Sequence, residues 1–188
     1  MKPTENPEIK SMRTKVLRRM GLMAVLGLFV VFSALSRFNI VKTDTKGVFG
    51  TVALLSALTA VIVLAADRTS YLPFLGECVL PTSLLAEQSP KDATFTVTVK
   101  VPSSASHVMY WAAESGVGLV QNPLDAYGRF SNAGIVKTSS SGEAVLPVRC
   151  PSQYQIPSGK TLPRHVHYRA IFASGIAGDV KTAQVTCL

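Results

Sequence analysis

The chain has 188 residues, enough for one domain of ordinary size plus an anchor but not for two large domains. Hydrophobic residues make up 47% and charged residues only 16%, and the apolar excess is concentrated between residues 20 and 66, so a wholly soluble chain is excluded as the simple reading. The net charge of +8 is equally uneven. Residues 1–19 hold six basic and two acidic side chains, and most of the surplus flanks the apolar segments. Anionic headgroups and the positive-inside bias account for that placement, so nucleic acid is not expected as the main partner.

Residues 1–19 read as a basic tail. The next stretch, 20–35, is MGLMAVLGLFVVFSAL, without a charge. Sixteen helical residues cover about 24 Å, a little short of a hydrocarbon core of about 30 Å. Arg18, Arg19 and Arg37 can snorkel to supply the remainder. The stretch 47–66 is GVFGTVALLSALTAVIVLAA, uncharged throughout and closed sharply by Asp67 and Arg68. A cleaved signal peptide does not fit the first run, because its basic leader is too long and a second full-length run follows closely. The expectation is a hairpin of two transmembrane helices. In the second helix Gly50, Ala53, Ala57 and Ala60 recur at three- and four-residue steps and predict a small-residue packing face. Two spans return the chain to its starting side, and six basic residues before the first helix against three between the helices put both termini on the cytosolic side.

Residues 67–91 contain Pro73, Pro81 and Pro90 and read as a connector. Periodicity then changes to two. In 93–101, ATFTVTVKV, the side chains of Phe95, Val97, Val99 and Val101 fall on one face and Thr94, Thr96, Thr98 and Lys100 on the other, a half-buried strand. Further strands are expected at 107–113, 134–138, 144–150, 164–172 and 180–187, separated by turn-forming clusters such as PSSAS and SSSGE. Residues 92–188 are therefore expected to form an all-β antiparallel sandwich of immunoglobulin-like or transthyretin-like type. The turn-rich stretch 122–133 offers Tyr127 and Arg129 as interaction candidates. Trp111 reads as a core anchor, and Glu114 and Asp125 as isolated carboxylates.

Cys78, Cys150 and Cys187 are too few for a disulfide scaffold, and free thiols in a reducing compartment are the expected state, with a Cys150–Cys187 bridge as the alternative. The one site-like cluster is LPRHVHYR, 162–169. On a strand His165, His167 and Arg169 share one face, and Arg164, Val166 and Tyr168 the other. Two imidazoles at i and i+2 aim the same way and are the candidate metal ligands; His107 is the one other histidine, and Tyr110, Tyr127 and Tyr154 are candidate oxygen ligands. Arg164 and Arg169 are further interaction candidates. No nucleophile elbow, phosphate loop or zinc-protease motif occurs.

Over about fifteen residues this stretch resembles the RP-x-H-I-H segment of intradiol ring-cleavage dioxygenases. Those enzymes hold ferric iron with two tyrosines and two histidines on a transthyretin-like sandwich. The resemblance places His165 and His167 as the histidine ligands and offers Tyr127 or Tyr154 for the tyrosines. The arginine here follows the proline instead of preceding it. A broader resemblance is carried by YLPFLGECVLP, YWAAE, AYGRFSNAGIV and VRCPSQYQIPSGKTLPRHVHYR, roughly 71–170. These strings look like membrane-anchored proteins of large nucleocytoplasmic double-stranded DNA viruses of algae and protists (chlorovirus-like). That resemblance implies a minor capsid protein between the internal membrane and the shell, with the lipid bilayer and the major and other minor capsid proteins as partners and a homo-oligomer as a further candidate. The leading expectation is thus a structural linker without cofactor or catalysis. A membrane-tethered metal-binding protein or non-haem iron dioxygenase-like enzyme, and a cellular membrane adaptor with an immunoglobulin-like domain, are the alternatives.

Overall fold

The computed structural model describes residues 7–37, 46–72, 75–116 and 118–187, in two compact units that divide between Phe74 and Leu75. The first unit is helical. Helix α1 spans Pro7–Arg37 and α2 spans Lys46–Ala66, and both carry segments long and apolar enough to cross a membrane, Arg13–Leu35 and Gly47–Ala66. Helix α1 thus begins well inside the stretch read as a basic tail. Proline suits its first turn, where an amide has no helical partner to lose.

The two helices pack through Phe32 and Phe49, whose rings stack at 5.5 Å, and through the small face of α2. Ala53 and Ala60 are buried and Ala57 is half-buried, as the three- and four-residue steps require. Gly50 is exposed. Arg18 reaches the Val63 carbonyl at 3.5 Å, and Arg19 is exposed. Thr51 and Thr59 each donate to the carbonyl four residues back, at 2.9 and 2.8 Å, so neither hydroxyl needs an outside partner. The side chains of Arg37 and Arg68 lie outside the described residues. Asp67 caps the short helix α3 (Arg68–Tyr71), its carboxylate accepting from the Thr69 amide and hydroxyl. Those two hydrogen bonds hold its carboxyl below the usual range.

The second unit is β-rich. Its strands are β1 (Cys78–Val79), β2 (Phe95–Lys100), β3 (Ala105–Ala112), β4 (Leu119–Val120), β5 (Ala133–Lys137), β6 (Glu143–Val148), β7 (Gln153–Gln155), β8 (Thr161–Leu162), β9 (His165–Phe172), β10 (Ile176–Ala177) and β11 (Lys181–Gln184), with a short helix α4 (Pro123–Tyr127) between β4 and β5. The main sheet runs β1-β10-β9-β3-β5, and β11 also pairs with β9. Strands β2 and β6 form a second sheet, and β4-β7-β8 a third, in which β4 and β7 are parallel. The expected antiparallel β domain is present, and its strands are shared among open sheets. Strand β1 and the bridge from Gln88 to Ile135 lie in the stretch read as a connector.

The alternation read in β2 is the observed one, with Val99 buried and Thr96, Thr98 and Lys100 exposed. Val99, Leu146 and Val148 from the β2–β6 sheet pack with Val108, Tyr110, Ala112, Val166 and Phe172 from β3 and β9 to form the core. Burial of this apolar surface is the main stabilising contribution. Asn132 is completely buried and fully used: its amide donates to the carbonyls of Ala113 and Arg149, and its side-chain oxygen accepts from the Arg149 amide.

Cys150 and Cys187 form a disulfide, with their Cα atoms 5.9 Å apart, which corrects the expectation of free thiols there; Cys78 is free and exposed. The case for a cytosolic domain therefore loses the support that unpaired thiols would have given and rests on charge bias alone.

Candidate metal centre

Strand β9 carries His165, His167 and Arg169 on the face away from the core, while Val166 and Tyr168 face it, as alternation dictates. A small second core covers one end of the outer face. It consists of Ala113, Ala126 and Tyr154, with Val120, Tyr127, Ile156 and Leu162 packed against it. Helix α4 delivers Tyr127 and β7 delivers Tyr154. The helix starts because Asn122 caps it, accepting from the Asp125 amide at 2.9 Å, and because Pro123 follows. It ends at Gly128, whose φ of 48° suits glycine and whose added Cβ would meet Glu114 at 3.3 Å.

The loop after α4 is pinned from below. Glu114 accepts from the Ser131 amide and hydroxyl and pairs with Arg149 at 2.7 Å. Asp125 accepts from the Asn122 side chain at 2.6 Å. Neither carboxylate is isolated, in contrast to the sequence reading, because each has a partner supplied by local turn geometry or by a distant strand. Phe130 adopts a positive φ of 56° and stacks on Tyr127 with ring centroids 5.5 Å apart.

Four donor atoms meet as a result. The Tyr127 and Tyr154 hydroxyls are 2.9 Å apart, the Tyr154 hydroxyl is 3.2 Å from His165 Nε2, and the two histidine Nε2 atoms are 3.2 Å apart. Tyr154 and His165 are buried, and Tyr127 and His167 are half-buried, so the cluster opens on one side. Burial pushes both phenols above their usual range, most strongly at Tyr127, where the hydrogen bond with Tyr154 adds to the rise.

The tautomers follow from the outer partners. His165 Nδ1 lies 2.6 Å from the Pro163 carbonyl, which can only accept, so Nδ1 bears the proton and Nε2 presents a lone pair. That single lone pair faces both the Tyr154 hydroxyl and His167 Nε2. It can accept one of them well, so hydrogen bonding alone leaves the set over-subscribed. His167 Nδ1 lies 3.1 Å from the Thr182 hydroxyl, which lets His167 also turn an Nε2 lone pair inward. Two phenol oxygens and two imidazole nitrogens are atom types that a cation accepts as ligands. Cis donors about 2.1 Å from an octahedral ion stand about 3 Å apart, close to the spacing of successive atoms here. Histidine ligands commonly donate their second ring nitrogen to a carbonyl or similar acceptor, the part played here by Pro163 and Thr182. Among the described residues no three His, Cys, Asp or Glu side chains form such a group, so the phenols are essential to the set.

Other candidates fall elsewhere. His107 hydrogen-bonds Ser106 and pairs in register with Lys137 and Ile171, while Trp111 is the β3 residue opposite His167. Arg164 donates to the Pro151 carbonyl at 3.0 Å, and Arg129 is exposed. Arg169 is buried, donates to Cys78 Sγ at 2.8 Å, and lies over Trp111 at 5.8 Å. Trp111 is not the core anchor expected; Tyr110 fills that role, and Trp111 sits 5.6 Å from the His167 ring on the outer face. An apolar cavity of about 390 Å³ adjoins it, lined by Met109, Trp111, Phe130, Ile135, Cys78 and Arg169. The pairing of the tyrosines, and Thr182 as a partner of His167, had no local signal in the sequence. Comparison of the chain with protein-family models and with curated proteins gives no match.

Proposed function

We propose that this chain is a membrane-tethered metal-binding protein whose β domain holds one ferric ion between Tyr127, Tyr154, His165 and His167, as in the intradiol dioxygenases that the 162–169 segment resembles. The observation that carries the reading is the convergence of two phenol oxygens and two imidazole nitrogens, with successive spacings of 2.9, 3.2 and 3.2 Å. Burial opposes ionisation of the phenols, and a highly charged cation favours drawing both protons off. A trivalent ion also leaves little net charge after two phenolates bind. Imidazole nitrogen and anionic oxygen suit iron.

When bound, such an ion supplies Lewis acidity and one-electron chemistry toward an electron-rich diol and dioxygen. The protein's part is to fix the donors and to limit water. Pro163 orients His165, burial shields Tyr154, and the half-exposed side at Tyr127 and His167 lies beside the aromatic surfaces of Phe130 and Trp111. We read the β2–β6 sheet packed on the main sheet as a transthyretin-like sandwich. The exposed apolar side chains of α2, such as Leu54, Leu58, Val61 and Ile62, support a bilayer anchor. A shell-linking virion role shares that anchor but gives the four donors nothing to do.

The test is ferric titration of the full chain in detergent. One retained iron per chain, with a visible phenolate-to-metal absorption band that is lost in Tyr154→Phe and His165→Ala, supports the reading. An iron-free, colourless protein overturns it, and cross-linking to shell proteins then becomes the informative experiment.

A further inference from the structure

The strand that supplies Thr182 is the least secured part of the site. Strand β11 has four residues, three of them exposed, and among the described residues its one strand partner is β9. Its register runs from Lys181 opposite Tyr168 to Gln184 opposite His165, which sets Thr182 directly across from His167. Just beyond it the Val185 amide donates to the Arg164 carbonyl at 3.0 Å. Two residues further, Cys187 is bonded to Cys150 across 37 positions of sequence.

The other end of that disulfide is firmly held. Arg149 is fixed by Asn132 and Glu114, and the Pro151 carbonyl accepts from Arg164. The bond thus ties the loose end of β11 to a rigid anchor. A short exposed edge strand without such a tie belongs to the low-stability end of a fold and opens readily.

We infer that the Cys150–Cys187 disulfide is a clasp and Thr182 a positioning residue: the clasp keeps β11 in register, and Thr182 then holds His167 with its Nε2 turned toward the other three donors. The inference rests on the metal-binding reading. A dithiol reductant would undo the clasp. The S–S bond breaks, each cysteine sulfur gains one electron and one proton, and the dithiol closes to a cyclic disulfide. Strand β11 then frays, and His167 loses the Thr182 hydroxyl while His165 keeps the Pro163 carbonyl.

The experiment uses the full chain in detergent with two readouts, backbone hydrogen exchange of the metal-free protein and ferric affinity followed by the visible absorption band. The double variant Cys150→Ser/Cys187→Ser is expected to speed exchange at residues 181–185 while leaving β3 and β5 unchanged, and to weaken ferric binding about 10- to 100-fold. Thr182→Val is expected to weaken binding over the same range with exchange unaltered, and Thr182→Ser to restore it. Unchanged exchange in the double variant overturns the clasp. Wild-type affinity in Thr182→Val overturns the positioning role, and that variant decides the question even if the cysteine pair fails to fold. A wild type that binds no iron sinks the metal reading and the positioning role together, whereas exchange still judges the clasp.

Discussion

The two faces of strand β9 obey opposite rules. Toward the core it presents Val166, Tyr168, Ala170 and Phe172, which pack with Val108 and Tyr110 of β3 and need no particular atom to meet another. Away from the core it presents His165, His167, Arg169 and Ile171, where nitrogen and oxygen atoms meet within about hydrogen-bonding distance. The same backbone therefore packs a core on one side and, on the proposed reading, holds a metal on the other. The contrast teaches that substitutions two residues apart can fail in different ways.

The largest expected effect is on the outer face. His165→Ala removes the ligand that touches both Tyr154 and His167, and ferric affinity should fall by more than about 100-fold, beyond the loss typical of an outer partner. Thermal unfolding of the metal-free chain should show only the loss of a buried imidazole's hydrogen bonds, about 1–3 kcal/mol. A loss of about 5 kcal/mol, the upper range for a core truncation, would mean that the imidazole is a packing element, and the contrast between faces would collapse.

Leu146→Ala is the mirror test. Leu146 is completely buried in β6 against the core face, so truncation should cost about 2–5 kcal/mol and lower the denaturation midpoint. The folded fraction should still bind iron with the wild-type absorption band. Loss of the band at full folding would show that the two faces are coupled. A smaller effect is expected from Asn132→Ala, which leaves two buried carbonyls and one amide without their partner, a cost of about 1–3 kcal/mol in denaturant unfolding.

What the sequence disclosed divides along the same line. The core face was legible because alternation is local: Phe95, Val97, Val99 and the β9 pattern announce themselves within a few residues. The helices were legible from uninterrupted apolar runs, although the start of α1 at Pro7 was masked by basic residues that a helix accepts as readily as a coil. His165 and His167 were legible as a pair because two positions on one strand suffice to align them. Tyr127 and Tyr154 were offered only as candidate oxygen ligands and through the family resemblance, because they come from α4 and β7 and only tertiary packing joins them. The Cys150–Cys187 bond was legible only as the alternative to free thiols, since its partners lie 37 positions apart. Trp111 was misassigned because β3 is apolar on both parities, YWAA, and size favoured the wrong neighbour.

The smallest effect tests the core face through pH. Burial raises the Tyr110 phenol above its ordinary value of 10.0. A folded-state value above the unfolded one means that the contribution to stability is complete below pH 10 and declines as pH rises beyond it, because the unfolded chain releases a proton that the folded chain retains. The decline cannot exceed about 1.4 kcal/mol per pH unit for one group. Denaturant unfolding of the full chain between pH 8 and 11, followed by Trp111 fluorescence, should therefore show a shallower alkaline loss in Tyr110→Phe than in wild type. Equal losses would mean that the Tyr110 hydroxyl ionises as freely folded as unfolded. The core face would then admit water, and the division of β9 into a dry side and a chemical side would no longer explain where each kind of residue sits.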